Sequence, residues 1–315
     1  MQNKTPVVVV LGTGGTIAGT ASSASDNVGY TAAQLSAADL IRAVPALGAF
    51  NLDVEQVAQL DSKDMSFSVW RALALRCAYH LARAEVAGIV ITHGTDTLEE
   101  TAYFLHRVLH ASKPVVLTAA MRPATSTQAD GPQNMLDAVA VALTPDAHGV
   151  MVAMAGTVHG ALDVRKVHTY QLDALTSGDG GPLARVEEGV VRQLREWPES
   201  AAICSADKLA DALPAAETAW PQVHIVSSHA GATALPIQTL IAAGVRGLVV
   251  SATGNGTLHR AVEAALIQAV SAGVKVLRAT RCNDGRIIGD ADSVLPSAGA
   301  LNAVKARVEL MLQAL

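Results

Sequence analysis

The sequence predicts an α/β protein with two domains, a larger N-terminal one built on a parallel-type sheet with flanking helices and a smaller C-terminal α/β domain. Short β-branched runs alternate with longer helical patterns, which is typical of a parallel sheet with crossover helices. Half of the 315 residues are hydrophobic, so the chain can bury a sizeable core. This length suits one large domain or two.

The elements of the N-terminal domain follow in chain order from these runs. Each strand is a short apolar segment with β-branched residues, and each helix is a longer segment with apolar residues at helical spacing. The predicted strands are residues 7–11, 88–91, 115–118 and 150–154. The predicted helices are residues 33–44, 65–83, 98–111 and 133–143.

The alternation stops between residues 190 and 221, in a stretch that ends with Pro214 and Pro221. We interpret this stretch as a long connection, because proline interrupts both helices and strands. The sequence therefore predicts an N-terminal domain over 1–190, a linker over 191–221 and a C-terminal domain over 222–315. In the last, the predicted strands are 223–226, 247–251 and 274–278, and the predicted helices are 236–243, 258–272 and 301–315.

Composition and charge exclude several classes of partner. The net charge of -5 argues against a protein that binds nucleic acid through phosphate contacts.

Three cysteines without CxxC spacing suit a reducing compartment. The first residues run directly into a strand, without a separate apolar leader, and that strand is too short to span a membrane. We expect no membrane partner and a cytoplasmic location, or a periplasmic one if a leader has been removed.

The first apolar run leads into the turn Gly-Thr-Gly-Gly-Thr-Ile-Ala-Gly, residues 12–19. Ile17 stands where a dinucleotide fingerprint needs its last glycine, and the lysine of a phosphate loop is missing. The turn exposes backbone N–H groups, which can stabilise an oxyanion, and presents Thr16, whose restricted χ1 helps to aim a nucleophile. From this motif alone, a structural turn whose threonine caps the next helix is the favoured interpretation.

A second run ends in His-Gly-Thr-Asp-Thr, residues 93–97. Both turns follow the carboxyl end of a buried strand, the edge at which parallel α/β sheets bind ligands. Asp96 and Glu99 have the spacing of a capping box, so Asp96 is a candidate cap for the following helix. Alternatively, Asp96 binds an ammonium group and Thr95 is a reactive or orienting hydroxyl. The motif alone supports both interpretations equally.

Two other features have weaker functional interpretations. His106 and His110 lie four residues apart on a predicted helix, but no third ligand accompanies them, and we predict no metal site. Lys166 is interpreted as a surface charge, although a buried lysine can carry out proton chemistry when its pKa is lowered. The chain has no Gly-x-Ser-x-Gly elbow, which argues against an ordinary Ser-His-Asp hydrolase.

Taken together, these residues resemble the bacterial-type L-asparaginase family. Residues 13–19 match its first threonine motif, and residues 93–97 match its second. The resemblance covers nearly the whole chain in order, which argues against a chance match. Further agreements are Ser-x-Asp-Met at 62–65, Ala-Met-Arg-Pro at 120–123, Ala-Asp-Gly-Pro at 129–132, Gly-Asn-Gly at 254–256 and Leu-Asn-x-x-Lys-Ala-Arg at 301–307.

The resemblance implies a two-domain amidohydrolase without a cofactor. It also implies a homotetramer, whose sites lie between the N-terminal domain of one subunit and the C-terminal domain of a neighbour. Thr16 would be the primary nucleophile, assisted by Tyr30 on a mobile loop over residues 19–30. Thr95, Asp96 and Lys166 would form a second catalytic group.

The same resemblance implies the substrate contacts. Ser62 and Asp96 would hold the α-carboxylate and the α-ammonium group of an amino acid. The main chain of Ala120 would contact the side-chain amide, and Asn255 would act in the site of a neighbouring subunit. The expected reaction is hydrolysis of L-asparagine to L-aspartate and ammonia. The alternatives are a glutaminase-asparaginase or other small-amide hydrolase, and a non-catalytic amino-acid sensor on the same fold.

The chain departs from the family pattern at two substrate-binding positions. Lys63 stands where the family commonly has glutamine or glutamate, near the amino group of the substrate. The acid that the family receives from a neighbouring subunit aligns near Ala291, with Asp290 and Asp292 as stand-ins. A lysine gained and a glutamate lost both disfavour an ammonium ligand, so we expect weaker substrate binding.

Overall fold

The computed structural model describes residues 6–289 and 293–315. It contains two compact units, one that extends to Asp211 and one that runs from Ala212 to Leu315. Each unit has its own β-sheet and its own helices. The predicted α/β class, with a larger N-terminal part and a smaller C-terminal part, is confirmed. No helix within the described residues is long and apolar enough to cross a membrane.

An eight-stranded sheet forms the centre of the described N-terminal unit. Its strand order is β10-β9-β6-β5-β4-β3-β1-β2, and the five strands from β5 to β2 are parallel. A separate two-stranded sheet is formed by β7 and β8. The strands are β1 Val7–Gly14, β2 Leu52–Leu60, β3 Val86–Thr92, β4 Pro114–Thr118, β5 Gly149–Met154, β6 Thr157–Gly160, β7 Arg165–Lys166, β8 Leu175–Thr176, β9 Ala184–Glu187 and β10 Val190–Gln193.

The sequence pattern predicted the four central strands and missed those at both margins. Strand β2 is polar at several positions because it is an edge strand, which pairs with β1 alone among the described strands. Strands β6, β9 and β10 are short and antiparallel, so they lack the long apolar run of a buried parallel strand. The parallel-type sheet therefore has an antiparallel extension. Strand β10 also occupies the start of the expected linker over 191–221.

The helices cover both faces of the large sheet. Val8 and Val10 of β1 join a buried cluster with residues of α1 and α4. Val9 and Leu11 are also fully buried, and they face the other way because side chains alternate along a strand. On the sheet, α2 packs against β2 and β3, and α3 against β5. The helices of this unit are α1 Ala37–Ala43, α2 Phe67–Leu81, α3 Leu98–Val108 and α4 Gly131–Ala142, and α5 Leu209–Ala212 lies at its end.

Side-chain caps shift the helix starts from the predicted positions. Helix α1 begins after Ser36, whose hydroxyl accepts the Asp39 amide while Asp39 accepts the Ser36 amide, a complete capping box. Helix α2 begins after Ser66, which caps the amide of Val69. Both helices thus start later than the apolar pattern alone indicates, because the capping residue, and not the first apolar residue, sets the first turn.

The C-terminal unit contains a three-stranded parallel sheet in the order β11-β12-β13. Helices α6 and α7 bury Ile237 and Leu266 in one cluster with Leu248 and Val250 of β12. Helix α8 packs against all three strands. The elements are β11 Val223–Ser227, α6 Leu235–Ala242, β12 Gly247–Ala252, α7 Arg260–Ser271, β13 Lys275–Thr280 and α8 Ala303–Leu312.

Candidate active site

The first threonine turn begins where β1 ends. Gly15 has φ 83° and ψ -173°, a conformation that is essentially restricted to glycine. After it, a short 3-10 turn presents Thr16, which is buried, with its hydroxyl 2.7 Å from the hydroxyl of Tyr30. The loop that carries Tyr30 is closed at its base by paired backbone hydrogen bonds of 2.9 Å between Thr20 and Thr31. The structure therefore brings the two side chains of the first predicted group together.

The two threonine turns touch through their backbones. Gly12 of β1 is in register with Thr92 of β3, so both strands end at the same edge of the sheet. A methyl group added at Gly15 would lie 2.4 Å from the amide nitrogen of Gly94. Gly15 must be glycine because the turns approach too closely there for any side chain. The hydroxyl of Thr13 joins them further by donating to the carbonyl of Thr92 at 2.8 Å.

A lysine, a threonine and a carboxylate meet at the second turn. The ammonium nitrogen of Lys166 lies 2.9 Å from Oγ1 of Thr95 and 2.6 Å from Oδ1 of Asp96. Lys166 comes from β7, and its side chain is only 21% exposed, so it is not the solvated surface charge that the sequence alone favoured. Asp96 does not cap α3 either, since Thr97 occupies the N-cap position without a side-chain cap.

Ser62 is held against the same turn. It lies in a short 3-10 turn after β2 and is 2% exposed. Its hydroxyl accepts the backbone N–H of Asp96 at 3.3 Å, and its carbonyl accepts the hydroxyl of Thr97 at 2.8 Å. A methyl group at Gly94 would approach the Ser62 hydroxyl to 2.5 Å. Ser62 is thus packed directly against the backbone that carries Asp96.

Lys63 forms ion pairs within its own turn. Its ammonium nitrogen lies 2.6 Å from Asp64 and 3.3 Å from Asp61, and both pairs are well exposed. The hydrogen bond to Asp64, followed by that to Asp61, raises the pKa of Lys63 above its ordinary value. The sequence predicted that the charge of Lys63 disfavours an ammonium ligand; in the structure this charge is paired with two neighbouring carboxylates.

Two of the remaining predicted site residues, Ala120 and Asn255, belong to different units of the structure. Ala120 is fully buried two residues beyond the end of β4, where the carboxylate of Asp130 accepts the next backbone N–H at 3.0 Å. Asn255 belongs to the C-terminal unit, where its side-chain amide both donates to and accepts from the backbone of Ile288. The expected stand-ins Asp290 and Asp292 lie outside the described residues.

The histidine pair considered for a metal does not have helical spacing. Helix α3 ends at Val108, so His110 lies beyond it, and its ring nitrogen Nε2 is 2.9 Å from the carbonyl of Cys204. His106 stays within the helix and is buried. Among residues 6–289 and 293–315, no cluster of three or more His, Cys, Asp or Glu side chains could hold a metal ion.

Arg122, which the sequence pattern did not single out, supports the segment that carries Lys166. Arg122 is 7% exposed; its guanidinium donates to the carbonyl of Tyr170 at 2.8 Å and lies 3.9 Å from the centre of the Tyr170 ring. Tyr170 follows Lys166 by four residues, so Arg122 anchors the segment that carries this lysine. No local signal could have paired residues 48 positions apart.

Comparison with known proteins gives consistent matches over both units. Residues 7–199 match the family described as Asparaginase, N-terminal, and residues 222–314 match the Glutaminase/Asparaginase C-terminal domain. L-asparaginase 2 of Escherichia coli (strain K12) is 38% identical, over 98% of this chain and 88% of its own. The glutaminase-asparaginase of Pseudomonas fluorescens biotype A is 35% identical, over 91% of this chain and 78% of its own.

A solved structure is also similar to this chain over nearly its whole length. The crystal structure of the probable cytoplasmic L-asparaginase from Campylobacter jejuni has a TM-score of 0.90 and 36% sequence identity. The match covers 98% of this chain and 95% of that one. With family matches over both units and relatives aligned across nearly its whole length, the chain belongs to the asparaginase family.

Proposed function

We propose that this protein hydrolyses L-asparagine to L-aspartate and ammonia, with Thr16 as the nucleophile. The observation that carries the proposal is the contact of two hydroxyl-bearing turns, one with Thr16 beside Tyr30 and the other with Thr95 beside Lys166. A hydroxyl nucleophile needs a neighbouring group through which its proton can leave, and the hydroxyl of Tyr30 beside Thr16 supplies one. The names of the similar proteins support asparagine as the substrate.

The first half of the reaction takes place at the first turn. Thr16 Oγ1 attacks the side-chain amide carbon as its proton passes to the hydroxyl of Tyr30, 2.7 Å away, and Tyr30 gives its own proton on to the amide nitrogen. Backbone N–H groups of the glycine turns stabilise the oxyanion. The C–N bond then breaks, and the nitrogen, which has received this proton, leaves as ammonia. The product of this half-reaction is a β-aspartyl ester on Thr16.

Water completes the cycle at the second turn. The hydroxyl of Thr95 orients the water, and the ammonium of Lys166 donates to both Thr95 and Asp96 and holds the group in place. Water adds to the ester carbon, one of its protons returns to Thr16 Oγ1 as the ester bond breaks, and L-aspartate is released. Ser62 and Asp96 hold the α-carboxylate and the α-ammonium group, and the main chain of Ala120 contacts the amide.

An ammonia-release assay tests this proposal. Wild-type protein is compared on L-asparagine, L-glutamine and D-asparagine. We expect Thr16→Ala to lower kcat by roughly 10^3-fold or more, since the nucleophile is lost. Thr239→Ala, which removes an exposed threonine of α6, is the matched control. Circular dichroism and thermal unfolding verify that both variants fold. A Thr16→Ala protein that keeps more than about a tenth of wild-type activity would refute the assignment.

The substrate panel also distinguishes the alternatives. The Pseudomonas fluorescens relative is named for both activities, which favours glutaminase-asparaginase as the second candidate. Equal kcat/KM on both L-amides would establish that candidate. Binding of an amino acid without release of ammonia would indicate a sensor on the same fold.

We also infer a homotetramer in which Asn255 acts in the site of a neighbouring subunit, and a cytoplasmic location. The family resemblance supports the first, and the name of the Campylobacter relative supports the second. Mixing Thr16→Ala with Asn255→Ala subunits should restore part of the activity, because some mixed sites are complete. A fully active monomer in light scattering during turnover would contradict the shared site. Cell fractionation tests the compartment.

A further inference from the structure

A chain of hydrogen bonds runs behind the second threonine turn, in the core of the N-terminal unit. The indole Nε1 of Trp70 lies 2.9 Å from Oγ1 of Thr101, which lies 3.0 Å from Nε2 of His93. The other ring nitrogen, Nδ1 of His93, is 2.7 Å from the carbonyl oxygen of Gly94. Thr101 and His93 are 0% exposed and Trp70 is 4% exposed. These three side chains come from α2, α3 and the end of β3.

The donor at one end and the acceptor at the other fix the direction of this chain of hydrogen bonds. An indole N–H can only donate and a carbonyl oxygen can only accept. Trp70 therefore donates to Thr101, Thr101 donates to Nε2 of His93, and Nδ1–H of His93 donates to Gly94. This assignment requires a neutral imidazole with its proton on Nδ1. It agrees with burial, which lowers the pKa of His93 to about 4.

The last bond of the chain determines where an amide of the second turn points. The carbonyl of Gly94 and the N–H of Thr95 belong to one peptide group. Because that peptide is planar and trans, its C=O and N–H point in opposite directions. With the carbonyl held on His93 in the core, the Thr95 N–H faces away from His93. The direction of this donor therefore depends on the imidazole.

We propose that Thr101 is a positioning residue, whose hydroxyl orients His93 and, through the Gly94 carbonyl, the peptide that carries Thr95. The inference rests on the proposed function, in which the glycine turns stabilise the oxyanion and Thr95 orients the water. Thr101 itself does not touch substrate. Its effect reaches the reaction through two hydrogen bonds and one peptide plane.

Two substitutions at Thr101 separate this role from simple packing. Thr101→Val keeps the shape of the side chain but leaves the indole N–H and Nε2 of His93 without their shared partner. Thr101→Ser keeps the hydroxyl but removes a buried methyl group. Positioning requires the hydroxyl, so Thr101→Ser should retain kcat and Thr101→Val should lower it. Packing requires the methyl group, so it predicts the opposite order.

The experiment measures kcat and KM for L-asparagine with the full-length protein. Loss of one oxyanion donor costs about 10²–10³ in kcat, and a donor that is only misdirected should cost less, about tenfold, in Thr101→Val. KM should stay within about twofold of wild type, and Thr101→Ser within about twofold in both constants. Thr144→Val, which removes a partly buried hydroxyl bonded to Ala140 of α4, is the control and should be unchanged.

Imidazole ¹⁵N NMR of the wild-type protein gives a readout that is independent of activity. The inference expects the proton of neutral His93 on Nδ1, and a proton on Nε2 would overturn it, even if Thr101→Val failed to fold. Full kcat in Thr101→Val, or a Thr101→Ser variant no better than valine, would also overturn it. A wild-type protein that released no ammonia would instead refute the proposed function and leave the NMR result to decide the hydrogen-bond chain.

Discussion

Replacing Gly15 by alanine should separate the two threonine turns. The new methyl group would lie 2.4 Å from the amide nitrogen of Gly94 and 2.5 Å from its Cα, far inside van der Waals contact. Both contacts are with backbone, so no flexible side chain can move aside. Either the Thr16 turn or the Thr95 turn must shift, and catalysis tolerates such displacement poorly.

Gly181 offers a matched control for the backbone strain. Its φ of 68° and ψ of 168° are close to the 83° and -173° of Gly15, but no atom in the described part of the chain lies within 4 Å of its added methyl group. Forcing alanine into this conformation should cost about 1–3 kcal/mol at each position. At Gly15 the overlap adds about 1–3 kcal/mol, so the total is about 2–6 kcal/mol. Gly48→Ala, with neither strain nor contact, should stabilise the protein by about 0.4–1 kcal/mol.

Urea denaturation and ammonia release measure both consequences. We expect Gly15→Ala to be the least stable of the three variants and to lose at least about 10²-fold in kcat. Gly181→Ala should lose stability with its kcat nearly unchanged. If Gly15→Ala were no less stable than Gly181→Ala and kept wild-type kcat, the close approach of the two turns would not be important for the site.

Three further outcomes are expected. Lys63→Gln should change KM for asparagine by less than about twofold, because Asp64 already neutralises the lysine, and a clear decrease in KM would show that its charge reaches the substrate. Tyr30→Phe should lower kcat with little change in KM, measured by ammonia release, and an unchanged kcat would exclude proton transfer through its hydroxyl. Glu55→Gln should lower stability at neutral pH, because the hydrogen bond from Arg76 depresses the pKa of Glu55 below its ordinary 4.5. A group of this kind stabilises above its unfolded pKa and loses that contribution as pH falls through the folded value, so the difference in urea midpoint should shrink below pH 4.5 and a constant difference would contradict the linkage.

The local sequence by itself determined the fold class and the two threonine turns. Buried parallel strands are apolar runs, and the turns that end them are rich in glycine, so both signals are contained within a few residues. Thr16 and Thr95 could therefore be singled out without a structure. The family resemblance then added Tyr30 and other candidates, and it gave a catalytic role to Lys166, for which the local sequence had favoured a surface charge.

Only the tertiary structure decided which of these side chains meet. Lys166 reaches Thr95 across 71 residues of sequence, and the chain from Trp70 to His93 draws on three separate elements. Pairing of this kind depends on strand order and on the packing of helices against the sheet. A short stretch of sequence does not reveal either of them. The same reason explains the unpredicted edge strand β2, because its stability comes from hydrogen bonds to β1 and not from its own apolar character.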